Sequence, residues 1–549
     1  MAKLLSTGKP GCAPCPELGW APETMCAVKS ADLWIPQNLP IDFAPVKAAA
    51  KYRAGGRYHS VITECTVAGE PYIRVPKNTI DLSTTRADVH VVDCAPYRSS
   101  WDFGSRIVPR PQQIEALDAL LDADEGTFVE ACGKGKTVMA LERAAQHGAP
   151  FVVVVDNTGI AHQWLDAAQK FLDLSASEIG MIHGHAKMLN FVEVPLTDGA
   201  CVTRLREIDG ALVRLLDDAW AALGVRTLNM RILKTLGGRA KPFMRTVREH
   251  EHERAAIITF LRTGVLPLWQ RPMVIIGQRT LARHASKVPM RIRQRFGNVF
   301  FDEAHHLPAK MLNLTGNVFF SNRISLTATP HREDGQQVLM TNHTGGIFFV
   351  DVTPDMPAID WLVELPTELS KRDYGTVHRA PLERRGVLLA RMFSENRERL
   401  IWIRALIAKL KAEGRTIIAL STDLAHPQAL KDLLDEDGIE SVVITGDTPP
   451  KLRPGLMRSG KVILATEGVT REGLDAPHLD TLLMLTPGAG WVGTVQTRGR
   501  LERAQEGKPQ PEVFWMYDFR IPAVRATFES IQRKLKDYRG ISLVRYEQR

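Results

Sequence analysis

The sequence predicts an α/β protein: two parallel-sheet units in tandem, preceded by a small β-rich module, with a helical insertion in the first unit. Three observations lead there. The chain has 549 residues, too many for one hydrophobic core; at roughly 150 residues per domain it needs about three or four folding units. Short, nearly continuous apolar runs recur, each followed by a turn or a helix-length segment. Runs that are apolar at every position suit strands covered on both faces, as in a parallel sheet flanked by helices. Finally, the texture changes near residue 106, and a second series of such runs begins near residue 400.

Residues 1–105 combine Pro, Gly and Cys with alternating apolar runs at 58–62, 72–75 and 89–92. They predict a β-rich module, a candidate DNA-binding or damage-recognition domain. In the first α/β unit, 106–350, Phe128 and Val129 precede a glycine loop and a helical pattern at Val138, Leu141 and Ala144. Strands are expected at 151–155, 272–276, 299–301 and 323–326. The second unit, 351–549, offers strands at 416–420, 441–444, 461–465, 481–485 and 513–517. Within the first unit, residues 136 and 302 lie 166 positions apart. A lean unit with connections of about 2–6 residues needs roughly a hundred. The excess, 190–271, reads as helices at 202–223, 228–236 and 249–261, broken at Gly237 and Gly238.

A content of 44% hydrophobic and 24% charged residues excludes wholesale disorder. No apolar run reaches the length of about 18 residues that a membrane-spanning helix needs. The N-terminal residues lack the apolar stretch of about 7–15 residues that marks a secretion signal. Seven cysteines, an odd number, do not read as a disulfide framework and suit a reducing compartment. A soluble cytoplasmic protein without a membrane partner is the expectation, nucleoid-associated in a bacterial or phage setting. Seventy Lys and Arg against 62 Asp and Glu give a net charge of +8. That charge is unevenly spread: residues 226–295 hold sixteen Lys or Arg and three acids, Glu249, Glu251 and Glu253. Such a concentration is the footprint of a polyanion partner, normally nucleic acid. The insertion is therefore expected to be a helical DNA-gripping arm; a protein-docking module and an insertion that merely preserves solubility are the alternatives.

Glu130-Ala-Cys-Gly-Lys-Gly-Lys-Thr137 joins a predicted strand to a predicted helix. Gly133 and Gly135 let successive backbone N–H groups around Lys134 turn inward as an anion nest, and the helix N-terminus adds its positive end. Lys136 then reaches the β- and γ-phosphates of a nucleotide and the Thr137 hydroxyl joins a Mg²⁺ shell. Glu130 stands where the pattern G-x-x-x-x-G-K-[ST] opens with glycine. Asp302 and Glu303 end an apolar strand: one carboxylate suits Mg²⁺, the other can polarise an attacking water. Cys132, inside the loop at a helix N-terminus, is expected to be reactive and shielded by bound nucleotide. Cys12, Cys15 and Cys26 form a structural zinc site only if His59, Cys65 or Cys94 supplies a fourth ligand. His250 and His252 lack metal-ligand spacing on a helix.

With these residues in order, the chain resembles superfamily 2 helicases and translocases, in particular the XPB-like and UvsW-like DNA-dependent ATPases, over about residues 106–520. Gln113 in Arg110-Pro-Gln-Gln113 looks like the adenine-reading Gln motif, and 132–137 is motif I. Residues 152–164, ending in Gln163-Trp164, are similar to motif Ia, with Asp156 and Asn157 replacing Pro-Thr. The next strand-contacting motif falls at 272–281, with Gly277 for its usual Thr. Residues 302–305 spell motif II as Asp-Glu-Ala-His, and 325–330 resemble motif III. Arg332, Glu333 and Asp334 look like the RED element. Thr466 with Glu472-Gly-Leu-Asp475 resembles motif V, and Gln496-Thr-Arg-Gly-Arg-Leu-Glu-Arg503 resembles motif VI.

The resemblance implies two RecA-like lobes, ATP and Mg²⁺ as cofactors, and 3′ to 5′ movement on duplex, forked or branched DNA in repair, recombination or replication. It implies nucleotide contacts at Gln113, Gly133, Lys134, Gly135, Lys136, Thr137, Gly473 and Asp475, and a metal held by Thr137 and Asp302. Glu303 activates water, and Arg500 and Arg503 are the arginine fingers. Arg332, Glu333, Asp334, Gln163 and Thr466 face nucleic acid. An RNA track, the motor of a restriction or defence complex, and an ATP-switched scaffold without motor activity are the rival readings.

Overall fold

The structure, a computed structural model, describes residues 27–29, 32–37, 41–54, 57–67, 70–80, 82, 91–93, 100–182, 191–224, 234–235, 237–307, 312–329, 336–380, 382–449, 451–471, 476–486, 497–539, 541 and 543–546. Its N-terminal module contains β1 (Ala27–Lys29), β2 (Asp32–Pro36), a hairpin of β3 (Lys51–Ala54) and β4 (Arg57–Ser60), then β5 (Thr63–Val67), β6 (Glu70–Pro76) and β7 (Val91–Asp93). The sheet order is β5-β6-β2-β1-β7, antiparallel except for β1 with β7. Leu33, Ile35, Ile73 and Val75 alternate inward along β2 and β6 and close on Val46, the period-2 pattern of a half-buried sheet. The expected strand at 58–62 is instead the end of β4 followed by a corner: Val61 and Ile62 leave the hairpin to pack on that core.

The module rests on the first α/β unit. Lys77 forms a buried ion pair with Glu125; Asn78 Nδ2 donates to the same carboxylate at 2.8 Å, and its backbone N–H donates to Asn342 O at 2.9 Å.

The first unit is a seven-stranded sheet, all parallel, in the order β10-β11-β9-β12-β13-β8-β14. In chain order its strands are β8 (Gly126–Glu130), β9 (Phe151–Val155), β10 (Ile179–Ile182), β11 (Met273–Gly277), β12 (Asn298–Asp302), β13 (Asn322–Thr327) and β14 (Ile347–Asp351). Both faces are covered. Phe151, Val153 and Val155 face one core with Trp164 and Phe300, while Val152 and Val154 face a second with Trp269 and Phe296. The second unit repeats the scheme in the order β17-β18-β16-β19-β20-β15-β21, again all parallel. Its strands are β15 (Ile359–Leu365), β16 (Ile417–Ser421), β17 (Ser441–Ile444), β18 (Val462–Thr466), β19 (Thr481–Met484), β20 (Glu512–Asp518) and β21 (Val544–Arg545). This is the tandem RecA-like arrangement that the sequence leads one to expect. Among the described residues no helix is long and apolar enough to cross a membrane.

The helices that bear on the site are α1 (Lys136–His147), α2 (Thr158–Phe171), α3 (Asp198–Leu223), α4 (Lys241–Thr263), α5 (Gln278–His284) and α6 (Gln337–Thr344). Antiparallel α3 and α4 form the insertion, closed by Ala219, Ala240 and Val247 at one end and by Cys201, Ile208 and Ile257 at the other. Thr197 caps α3 by accepting from Ala200 N at 3.4 Å, so that helix starts four residues before its expected first residue. Most of the helix expected at 228–236 lies outside the described residues. Salt bridges Arg204–Glu253 and Arg254–Asp209 knit the pair. The two helices are jointly neutral, because Arg204, Arg206 and Arg214 of α3 face five acids of their own (Asp198, Glu207, Asp209, Asp217 and Asp218). In the sequence the positive excess falls instead at 226–239, between the two helices, and at 271–295, after them.

Candidate nucleotide site

β8 delivers a buried Glu130 to the loop, and α1 begins at Lys136 directly behind Gly135. Gly133 and Gly135 have φ of +91° and +103°, left-handed conformations that favour glycine. Space demands glycine as well. A Cβ at Gly135 would lie 2.3 Å from Gln113 Nε2, and one at Gly133 would lie 2.8 Å from Arg503 Cγ. Gln113 braces the loop: its Nε2 donates to Lys134 O at 2.6 Å and its Oε1 accepts from Arg110 N at 3.0 Å. Lys136 is curled over the loop, donating to Glu130 O at 2.7 Å and Ala131 O at 3.1 Å. Lys134 points the other way, 3.5 Å from both Asp351 Oδ2 and Asp355 Oδ1. Burial, with Asp351 contributing, pushes the Glu130 carboxyl up to about 7 against the opposing pull of Lys136 and Lys134.

Asp302 ends β12 beside the loop. Its Oδ2 accepts from Trp164 Nε1 at 2.7 Å and its Oδ1 from the Glu303 backbone N–H at 2.9 Å. Desolvation, reinforced by the Glu303 carboxylate, pushes Asp302 up to about 6, with the Trp164 N–H and Lys136 opposing. Glu303 has φ +49°, and no other non-glycine among the described residues has positive φ. Such strain turns its side chain out of the strand direction at a cost of order 1 kcal/mol. His305 Nδ1 lies 3.4 Å from Glu303 Oε2 and 3.4 Å from Thr327 Oγ1, so His305 stands between the Glu303 carboxylate and the end of β13. A carboxylate at a strand end and the Thr137 hydroxyl in the first turn of α1 are hard oxygen donors, a set that suits Mg²⁺.

The second unit reaches this loop. A Cβ at Gly499 would lie 2.9 Å from Cys132 Cβ and 3.3 Å from its Sγ, so the turn bearing Arg500 sits on the phosphate loop and Arg503 lies over Gly133. Arg498 anchors the turn by donating to Asp360 Oδ2 at 2.7 Å on β15. Thr466 is buried at the end of β18, and Gln163 is exposed on α2. Arg332, Glu333, Asp334, Glu472, Gly473, Asp475 and Gln496 lie outside the described residues, as do Cys12, Cys15, Cys26 and Cys94. Cys65 donates its thiol to Tyr72 O at 3.8 Å. Sequence reasoning places Trp164 at the end of motif Ia but gives it no role toward Asp302, 138 residues away, and it misses Asp351 and Asp355.

The family described as type III restriction enzyme, res subunit, matches residues 106–200. A DNA 3′-5′ helicase XPB of Kineococcus radiotolerans is 24% identical over 250 residues, 46% of this chain and 30% of that protein. The DNA 3′-5′ helicase XPB of Mycobacterium tuberculosis is 23% identical over 383 residues, 67% of this chain and 53% of that protein. The solved structure of S. cerevisiae Dbp5 bound to RNA and ADP BeF3 is similar over 81% of this chain and 90% of that one, at 13% identity and a TM-score of 0.44. The chain spans about half the length of these curated relatives or less. By sequence, the chain is similar to helicases, with XPB-type DNA 3′-5′ helicases among its matches.

Proposed function

We propose that the protein is a nucleic-acid-dependent ATPase that moves along duplex or branched DNA and separates its strands. The observation that carries this reading is the seating of Arg503 over Gly133 and of Gly499 against Cys132. Phosphate-binding and cation-bearing elements from two separate units thus converge on one loop. The first unit alone has Lys136 for phosphate and two carboxylates for metal and water. Among the described residues its other cations at the loop, Arg110 and Lys134, are tied to the Lys134 carbonyl and to Asp351 and Asp355, so the charge that develops on the transferred phosphoryl group calls for a cation from elsewhere. An arginine brought from a second lobe is worth about 10³–10⁵ in rate. In this reading Lys136 leaves the Glu130 and Ala131 carbonyls for phosphate, Thr137 and Asp302 hold Mg²⁺, and Glu303 orients water. Mg²⁺, when bound, neutralises phosphate charge. Arg500 and Arg503 act only while the lobes are shut, so each turnover closes and reopens the cleft. Lobes that both grip a strand convert that cycle into steps along it.

DNA is the proposed track because the matched XPB proteins are named DNA 3′-5′ helicases. ATPase rates with single-stranded, duplex and forked DNA and with RNA, using Lys136→Ala as blank, test it. We expect stimulation by DNA above RNA, displacement of a third strand, and a fall in kcat of about 10³ in Arg503→Ala with little change in nucleotide affinity. Stimulation by RNA alone moves the track. Absence of strand displacement leaves an ATP-driven switch.

A further inference from the structure

Trp164 is fully buried at 0% exposure, yet it spends its indole N–H on a carboxylate. The ring stacks on Phe300 with centroids 6.2 Å apart and planes at 28°, and Phe300 stands two residues before Asp302 on β12. The indole edge donates to Asp302 Oδ2 at 2.7 Å. Packing alone does not ask for this, since phenylalanine would fill most of the same space. A hydrogen bond to an ionised acceptor inside a protein is about twice as strong as a neutral one, and a donor held by its own packing fixes the orientation of the acceptor. The Glu303 N–H donates to the other oxygen, Oδ1, at 2.9 Å, so each carboxylate oxygen holds one bond. The carboxylate is thereby locked against rotation about its Cβ–Cγ bond.

The helix that carries Trp164 has a second face. Its neighbour Gln163 is exposed. α2 is tied to the end of β9 through Asn157, whose side chain accepts from Ile160 N at 3.0 Å, and β9 pairs with β12 in register, Val154 opposite Phe301. One side of α2 therefore faces solvent at Gln163, where the resemblance implies a nucleic-acid contact, while the other holds the acid proposed for the metal. We propose that Trp164 is a positioning residue: it holds the Asp302 carboxylate in its metal-binding orientation and passes the position of α2 to it, so that nucleic acid on α2 sets the quality of the metal site. The inference rests on the nucleotide site proposed above.

Trp164→Phe is the test, because it keeps the ring stack and deletes only the donor. Calorimetry measures ADP affinity in EDTA and in Mg²⁺, and ATPase assays measure the factor by which duplex DNA accelerates turnover. The expected result is wild-type ADP affinity in EDTA, loss of about 10-fold in the affinity gained from Mg²⁺, and a matching loss of DNA stimulation. Retention of either gain at the wild-type level overturns the proposal. A wild-type protein that gains nothing from Mg²⁺ takes down the nucleotide site itself, a distinguishable failure. Should the variant not fold, wild-type protein labelled with ¹⁵N-tryptophan gives the answer. Of its ten indole signals, the one displaced by Asp302→Asn must move on adding Mg²⁺ with ADP and stay put with ADP in EDTA; an unmoved signal refutes the idea.

Discussion

Glu130 stands at the mouth of the phosphate loop with 1% of its surface exposed, and its Oε2 has no hydrogen-bond partner among the described residues. Asp351 lies opposite it in register on β14. A carboxyl there is costly to ionise, and its value of about 7, raised from 4.5, gives the cost a sign. Between those pH values the folded chain keeps a proton that the unfolded chain releases. The contribution to stability is therefore intact below pH 4.5 and is lost as pH rises through 7. The loss is on the order of 3 kcal/mol. Glu130→Gln keeps the shape and removes the titration. Its melting temperature should exceed that of the wild type by several degrees at pH 8 and approach it near pH 5. Equal melting at pH 8 would refute the burial argument. A stability cost at the head of a phosphate loop fits a site tuned for something other than stability.

At the scale of elements, what the sequence makes legible follows from how each strand is buried. β9 and β11 read at once because β-branched residues fill them on both faces. β15 is equally central but carries Asp360 and Glu364, and Asp360 is the buried partner of Arg498; a strand that spends positions on a distant ion pair loses its apolar signature. Edge strands β10 and β14 hide for another reason: one is four residues long and the other half-exposed. The phosphate loop and the Asp302-Glu303 pair are local in sequence and could be read there. The contacts Trp164–Asp302 and Lys134–Asp355 join distant positions and could not. Charge runs mislead in the same way. Of the basic residues at 271–295, Arg271, Arg293 and Arg295 donate to backbone carbonyls, so they serve the fold. Arg279, Arg283 and Lys287 are exposed at spacings of four residues along α5 and the turn that follows it. Each phosphate contact contributes about 0.9 to the slope of log affinity against log salt. Replacing these three by Ala should flatten the slope for duplex DNA by roughly 2–3, whereas Arg206→Ala with Arg248→Ala on the neutral hairpin should leave it unchanged. Titrations at four or five salt concentrations decide between the two surfaces.

The whole molecule is organised around the segment that joins its two units. That segment is held at both ends: Lys134 of the phosphate loop bridges to Asp351 and Asp355, while Glu502 accepts from Met356 N at 3.0 Å and from Ala358 N at 3.2 Å. The loop that would sense phosphate and the turn that would supply the arginines thus share one short strap, and between them the units touch through Gly499 and Cys132. Each unit has its own pair of cores, so a wedge at that contact should disturb their closure and spare their folding. Gly499→Ala is such a wedge, since the new methyl would start 2.9 Å from Cys132 Cβ and something must yield. A catalytic group displaced by about 1 Å costs roughly 10² in rate. We expect kcat to fall about 10- to 100-fold, with KM for ATP within about threefold because the wedge meets the loop at Cys132 and replaces none of the groups proposed to bind phosphate. Adding Cys132→Gly removes the atom that the methyl meets, and the double variant should recover most of the lost rate, a coupling that independent sites would not show. Full activity in Gly499→Ala would mean that the units work without this contact. No recovery in the double variant would mean that the damage lies elsewhere.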